Sequence, residues 1–125
     1  RRGLEFNGLR LDNGAGLSRS TRIAAESLGS LLLMAAESPW MPEFMSSLSL
    51  AGLDGTLRKR FRSESATGRM HLKTGRLQDV YATAGYVHAR SGTDYVVVIL
   101  QNYPDADRGP GEEAQAALLR WVFEQ

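Results

Sequence analysis

Apolar residues in the first half of the chain recur at helical spacing. Between residues 23 and 35 the helical spacing places five of them on one face of a helix: Ile23, Leu28, Leu31, Leu32 and Ala35. The pattern predicts a helix that begins near residues 20–24. It ends at Ser38, because a residue that precedes proline is pushed out of the α region. A shorter helix is predicted over residues 42–48, where Pro42 occupies an early position that needs no N–H donor.

The second half of the chain predicts strands followed by a helix. The predicted strands cover residues 69–74, 80–89 and 94–103. A hairpin turn is expected at residues 91–93, and the run at 95–100 is apolar at every position, which favours a strand covered on both faces. A closing helix is predicted over residues 112–124.

The order of these elements is helix, helix, three antiparallel strands and helix. It predicts an α+β fold in which helices pack on an antiparallel sheet, within one domain that covers residues 1–125.

Composition excludes several classes of function. The formal net charge is +1, which argues against a protein built to grip nucleic acid or an anionic membrane. No apolar run approaches the roughly 20 residues that a membrane span needs. The absence of cysteine excludes disulfides, cysteine-ligated zinc and thiol nucleophiles. Nothing in the sequence indicates a cofactor.

The tripeptide Lys73, Thr74 and Gly75 is the first candidate for chemistry. It falls at the end of one predicted strand and runs towards the next. The ammonium and the hydroxyl are expected to project side by side towards an anion, and Gly75 removes the side chain that would keep a ligand off the backbone. Only two lysines accompany thirteen arginines, so a lysine here is distinctive. Taken alone, the tripeptide is more often a solvated strand end.

Three blocks of sequence resemble one family, the D-alanyl-D-alanine carboxypeptidases/endopeptidases, which are low-molecular-mass class C penicillin-binding proteins of the DacB type. Residues 12–19 (Asp-Asn-Gly-Ala-Gly-Leu-Ser-Arg) are similar to that family's Asp-Gly-Ser-Gly-Leu-Ser-Arg block. Residues 47–57 resemble its Leu-Ala-Gly-x-Asp-Gly-Thr-Leu block. Residues 71–77 with the following Ala-Gly-Tyr at 84–86 resemble its Lys-Thr-Gly block. In serine enzymes that react with penicillins, Lys-Thr-Gly accompanies a Ser-x-x-Lys motif that carries the nucleophile.

The resemblance implies part of the serine β-lactamase/penicillin-binding-protein transpeptidase-like fold and a serine acyl-transfer activity. Its partners would be the D-Ala-D-Ala end of peptidoglycan stem peptides and β-lactams, in the periplasm or cell envelope. Lys73 would help to transfer the proton towards the leaving group. Lys73 and Thr74 would face the terminal carboxylate, and the backbone N–H of Arg76 would be one of two oxyanion-hole donors.

The sequence departs from the family pattern at several points. Ala15 replaces a usual serine, and Arg76 replaces a usual serine or threonine, so a hydroxyl contact to the ligand is lost there. Neither Ser-x-x-Lys nor Ser-x-Asn occurs in the chain. We therefore expect the C-terminal part of such an enzyme, inactive alone, with its cut near Arg1. The N-terminal remainder would cover a face that is otherwise exposed or self-associates.

Two other functions stay open from the sequence. One is a β-lactamase or esterase with the same fold, although the blocks at residues 12–19 and 47–57 argue against it. The other is a non-catalytic domain that binds cell-wall peptide.

Weaker candidates have simpler explanations. His71 and His88, on adjacent predicted strands, could suggest a metal pair or a catalytic base, but two histidines without clustered carboxylates favour ordinary strand positions. The basic run at residues 58–62 could bind nucleic acid, but is predicted to be a solvated loop or a contact to chain outside these residues. Asp12 and Asp54 are predicted to form turn hydrogen bonds, and the two tryptophans to pack in the core or at its edge.

Overall fold

A computed structural model describes residues 3–125; Arg1 and Arg2, where the sequence predicts a cut, lie outside the described residues. The helices are α1 Ala25–Ala36, α2 Met41–Ser46 and α3 Pro110–Phe123. The strands are β1 Ser49–Leu50, β2 Met70–Leu77, β3 Val80–His88 and β4 Asp94–Asn102, and a single 3-10 turn covers Gly55–Leu57. The predicted α+β class is confirmed.

The four strands form one antiparallel sheet in the order β1-β2-β3-β4. β2 and β3 are joined at Gln78 and Asp79, and Asp79 has the positive φ of 62° that such a tight turn uses. The turn predicted at residues 91–93 is confirmed, since the N–H of Ala89 donates to the carbonyl of Thr93 at 2.9 Å.

The sheet differs from the prediction in one strand that was missed and one strand boundary. β1 has only two residues, too few to show a periodicity, and it forms because it pairs with His71 and Leu72. β2 continues to Leu77, three residues past its predicted end, because β3 pairs with it as far as the turn. Lys73, Thr74 and Gly75 therefore lie inside a strand and not at its end.

The apolar run at residues 95–100 was expected to be covered on both faces. Helices α1 and α3 do contact β4, but β4 lies at the edge of the sheet. Of this run, Val97 alone is buried, while its neighbours are half-buried. Helices thus contact β4 as expected, but its apolar run is only partly buried.

The main core lies between the sheet and α3. Leu57 and Phe61 of the segment after β1 pack there with residues of β2, β3 and α3: Met70, Leu72, Val87, Leu119, Val122 and Phe123. On the opposite face, the Tyr86 hydroxyl donates to the carbonyl of Leu32 at 2.7 Å and ties α1 to β3. The tryptophans contribute little to either layer, since Trp40 is 66% and Trp121 61% exposed; their expected packing in or beside the core is wrong.

The longest described helix, α3, has 14 residues. Within residues 3–125 no helix combines the length and apolar character needed to cross a bilayer.

Candidate functional site

The site is built on the outer edge of β2, which is open beyond Leu72. β1 pairs only with His71 and Leu72, so no strand pairs with residues 73–77 on that side within the described chain. Backbone groups of an antiparallel strand alternate between its two neighbours. The carbonyl of Met70 accepts from the N–H of Ala51 on the β1 side at 3.0 Å. The backbone N–H and C=O groups of residues 72, 74 and 76 therefore point to that side as well.

This alternation directs the backbone groups of Thr74 and Arg76 to the open edge. The backbone groups of the odd-numbered residues point towards β3 instead, since the N–H of His88 donates to the carbonyl of Arg69 at 2.8 Å. The N–H of Arg76, which the resemblance assigns to the oxyanion hole, therefore points away from β3 and is not consumed by the ladder.

Lys73 and Thr74 do not project side by side, as was expected from their adjacency. Consecutive side chains in a strand leave on opposite faces, and β2 is regular here. The ammonium of Lys73 nevertheless lies at the open edge, because its Nζ donates to the carbonyl of Thr74 at 2.6 Å. Ammonium, hydroxyl and the Arg76 N–H thus meet along one edge by different routes.

Gly75 is not required by the packing of the fold. A Cβ at this position would meet only the Cβ of Ala82, at an ordinary 3.7 Å. Gly85 is different, because a Cβ there would overlap the carbonyl oxygen of His71 and lie 3.0 Å from the Cα of Leu72. Of the two glycines, Gly75 is the one whose small size leaves room for a ligand along the strand.

Thr74 shares its face of the sheet with a cavity of about 330 Å³ between β2 and α3. Its hydroxyl lies 2.9 Å from that of Thr56, on the 3-10 turn. Arg76 borders the same cavity, and its guanidinium donates to Glu112 of α3 at 2.9 Å and lies 4.8 Å from the centre of the Tyr81 ring. The cavity is therefore lined by hydroxyls and cations next to the open edge.

The basic run at residues 58–62 is only partly the solvated loop that was predicted. Arg60 has a side chain that is 13% exposed, and it donates to the Tyr81 hydroxyl at 3.0 Å. Phe61 is buried, with a φ of 61°. The sequence could not show this, because burial of an arginine depends on aromatic and acidic partners from other elements.

The remaining predicted residues lie away from this edge. Asp12 accepts from the hydroxyl of Ser18 at 2.8 Å and Asp54 accepts from the N–H of Leu50 at 2.6 Å, which confirms both as turn-forming. His88 contacts Asp94 at 2.6 Å near the β3–β4 turn. His71 is paired with Tyr86 across the sheet, and no group of three metal-ligating side chains occurs within residues 3–125.

Sequence reasoning missed Thr56 and Arg60. Thr56 belongs to the Asp-Gly-Thr-Leu stretch, which indicates the family resemblance but no role for the threonine. It is 18 residues away from Thr74 in the chain, and nothing in the local pattern connects the two hydroxyls.

Comparison with known proteins gives a consistent result. The model of the D-Ala-D-Ala carboxypeptidase 3 (S13) family matches residues 1–124. A D-alanyl-D-alanine carboxypeptidase of Actinomadura sp. (strain R39) is 37% identical over 95 residues, which cover 72% of this chain and 18% of that protein. The D-alanyl-D-alanine carboxypeptidase DacB of Haemophilus influenzae is 30% identical over 110 residues, covering 86% of this chain and 23% of the relative.

Solved structures agree with the sequence comparison. Penicillin-binding protein 4 (dacB) of Haemophilus influenzae superposes with a TM-score of 0.86 at 26% identity, covering 98% of this chain and 29% of that one. A second structure of the same protein, complexed with a novel β-lactam, superposes equally well. The chain spans about a fifth to under a third of the length of the relatives it matches.

Proposed function

Since this chain belongs to the D-Ala-D-Ala carboxypeptidase 3 (S13) family, we propose that it supplies the Lys-Thr-Gly strand of a serine-type carboxypeptidase site. The substrate class is the D-Ala-D-Ala end of peptidoglycan stem peptides, with β-lactams as mimics, in the cell envelope. The observation that carries the proposal is the open edge of β2, on which Lys73, the Thr74 hydroxyl and the Arg76 N–H converge.

The chemistry divides between this chain and the rest of the protein. Ser-x-x-Lys and Ser-x-Asn are absent from the 125 residues, so the nucleophilic serine and its base belong to residues outside this chain. The serine oxygen attacks the carbonyl carbon of the D-Ala–D-Ala bond, the C–N bond breaks, and the leaving D-alanine takes a proton. Water then hydrolyses the acyl ester and frees the serine.

The residues of β2 act on charge and position. The substrate lies along the open edge as an extended strand, which brings its carbonyl oxygen to the Arg76 N–H when negative charge develops on that oxygen. The ammonium of Lys73 assists proton transfer towards the leaving amine. Thr74 faces the terminal carboxylate, and the bare backbone at Gly75 lets the substrate approach closely.

A β-lactam fits the same arrangement, because its ring carbonyl and its carboxylate correspond to the scissile carbonyl and the terminal carboxylate. The Haemophilus influenzae relative was solved in complex with a β-lactam, which supports binding of this class of ligand; its position at the edge of β2 is part of the proposal.

Labelling by a fluorescent penicillin tests the proposal. In the full-length protein, Lys73→Ala is expected to lower the acylation rate by about 10²–10⁴-fold, the range typical of a lost proton-transfer group. Arg108→Ala, at an exposed arginine of the β4–α3 loop, is the matched control and should label at the wild-type rate.

Two outcomes would contradict the proposal. Near-wild-type labelling of Lys73→Ala would remove this residue from the site. A stable penicillin adduct on the isolated 125-residue chain would show that the nucleophile lies within it.

A further inference from the structure

We infer that the segment between β1 and β2 forms the second wall of the carboxylate subsite, with Thr56 as a second hydroxyl that contacts the substrate carboxylate and Arg60 as the residue that holds positive charge behind it. This inference rests on the proposed function, because it takes Thr74 to face that carboxylate. It adds two residues that neither the Lys-Thr-Gly motif nor the sequence pattern identifies.

The hydroxyls of Thr56 and Thr74 are close enough to work as a pair. The Thr74 hydroxyl donates to the Thr56 oxygen at 2.9 Å. The hydrogen of Thr56 is then the one left free for a carboxylate oxygen. The pair thus presents the Thr56 hydroxyl as a donor to an anion in the cavity.

Thr56 places a second hydroxyl beside that of Thr74. The next residue of β2 on the same face is Arg76, which has no hydroxyl. The guanidinium of Arg76 is engaged by Glu112 at 2.9 Å and by the face of Tyr81, so it does not substitute for a short hydroxyl at the strand edge. The second hydroxyl therefore comes from the neighbouring 3-10 turn.

The charges around the cavity favour an anion. Three cations, Lys59, Arg60 and Arg76, and one carboxylate, Glu112, line its walls. Glu112 makes its short contact with Arg76 and lies 3.7 Å from Nε of Arg60, so it cannot neutralise both guanidinium groups. A second anion would therefore be attracted to this cavity.

Arg60 itself is short of partners. Its side chain is largely buried, and its Nη2 has no hydrogen-bond partner in the described part of the chain. A buried guanidinium with incomplete pairing is costly, and a nearby carboxylate reduces that cost. Arg60 does not contact the ligand, because its unpartnered nitrogen is covered. It acts as a positioning residue, whose positive charge attracts the carboxylate through space.

Several contacts attach this segment to the rest of the fold. The guanidinium groups of Arg60 and Arg120 lie 5.3 Å and 5.4 Å from the centre of the Phe61 ring. The carbonyl of Phe61 accepts from the hydroxyl of Thr67 at 2.5 Å. Leu57, directly after Thr56, is fully buried and anchors the turn from the other end.

The test compares two peptide substrates with the full-length protein. One ends in D-Ala-D-Ala with a free carboxylate, and in the other that carboxylate is amidated. Thr56→Val keeps the shape but removes the hydroxyl, and is expected to lower kcat/KM for the free peptide about tenfold, chiefly through KM. The amidated peptide should change less than twofold. A tenfold loss is typical for one hydrogen bond to a charged group.

Conservative variants separate recognition from folding. Thr56→Ser, which keeps the hydroxyl, should retain the wild-type preference for the free carboxylate. Arg60→Gln should lower that preference, and Arg60→Lys, which keeps the charge, should lower it less. Thermal unfolding of each variant is measured in parallel.

The outcomes distinguish this inference from the function on which it rests. If the wild-type protein prefers the free peptide but Thr56→Val slows both peptides equally, Thr56 is merely structural and the inference is overturned. The same conclusion follows if Thr56→Val changes neither. If the wild-type protein hydrolyses neither peptide, the proposed function fails and this inference falls with it.

Discussion

Replacing Gly85 with alanine should destabilise the protein by about 2–6 kcal/mol. The added Cβ would overlap the carbonyl oxygen of His71 and lie 3.0 Å from the Cα of Leu72. Both atoms belong to the backbone of β2 and cannot rotate away, as a side chain would. Forcing volume into a packed site costs about 1–3 kcal/mol, and the backbone conformation of Gly85, with φ +152°, adds strain of about 1–3 kcal/mol.

The effect would be large relative to the stability of a domain, which is about 5–15 kcal/mol. It would also reach the site, because the strand pushed aside is β2, which carries Lys73 and Thr74. Gly85→Ala is thus expected to impair both folding and acylation.

Gly75→Ala is the matched control on the neighbouring strand. Its Cβ would lie 3.7 Å from the Cβ of Ala82, an ordinary contact. Alanine also loses less conformational freedom on folding than glycine does, so the free energy of unfolding should change by less than about 1 kcal/mol. The same variant should nevertheless slow acylation of the full-length protein, since the methyl group would stand on the face that carries Lys73 and narrow the approach of the ligand to the adjacent strand edge.

Urea denaturation of wild type and both variants measures the difference, with the midpoint and the slope m fitted separately. An unchanged m with a lower midpoint for Gly85→Ala alone is the expected pattern. If Gly85→Ala stays within about 1 kcal/mol of wild type, or if Gly75→Ala is equally destabilised, the assignment of one glycine to packing and the other to ligand access is refuted.

Two further predictions concern stability. Tyr86→Phe should cost about 1 kcal/mol in urea unfolding, because it removes the 2.7 Å hydrogen bond to Leu32 that ties α1 to the sheet; no change would show that the bond adds nothing to α1 docking. The hydrogen bond from Arg120 holds the pKa of Glu64 below its ordinary value. This pair therefore stabilises the fold above the pKa of an unfolded glutamate and loses that contribution as pH falls through the depressed value. Because both side chains are over a third exposed or close to it, the effect should be a few tenths of a kcal/mol. A stability difference between wild type and Arg120→Gln that persists unchanged once Glu64 is fully protonated would contradict the pairing.

The local sequence pattern correctly predicts several elements, because interactions between near neighbours determine them. The turn at residues 91–93, the proline that ends the region of α1 and the helical spacing of α3 all act over a few neighbours, and the structure agrees with each to within a few residues. The resemblance in three blocks correctly predicted the family, since motifs are also read along the chain.

The site needed more than the motif. Lys73, Thr74, Gly75 and Arg76 were named from the sequence, and the structure places them along one open edge of a strand. Their expected geometry was wrong, because the alternation of a strand sends Lys73 and Thr74 to opposite faces. Both residues already lay within the strand predicted at residues 69–74, so the alternation was open to the sequence. The structure adds that the strand continues to Leu77, which brings Arg76 onto the same edge.

By itself, the sequence of this protein determines the helices, the β3–β4 hairpin, the family and the candidate residues, because periodicity, turn chemistry and motifs operate between near neighbours. Tertiary structure alone decides that β1 covers no more of β2 than His71 and Leu72, that Arg60 is buried against Tyr81, and that the hydroxyl of Thr56 meets that of Thr74. Each of these contacts joins residues about 20 positions apart in the chain. Such contacts depend on strand register and on which faces the whole chain can bury together, and no local window of sequence carries that information.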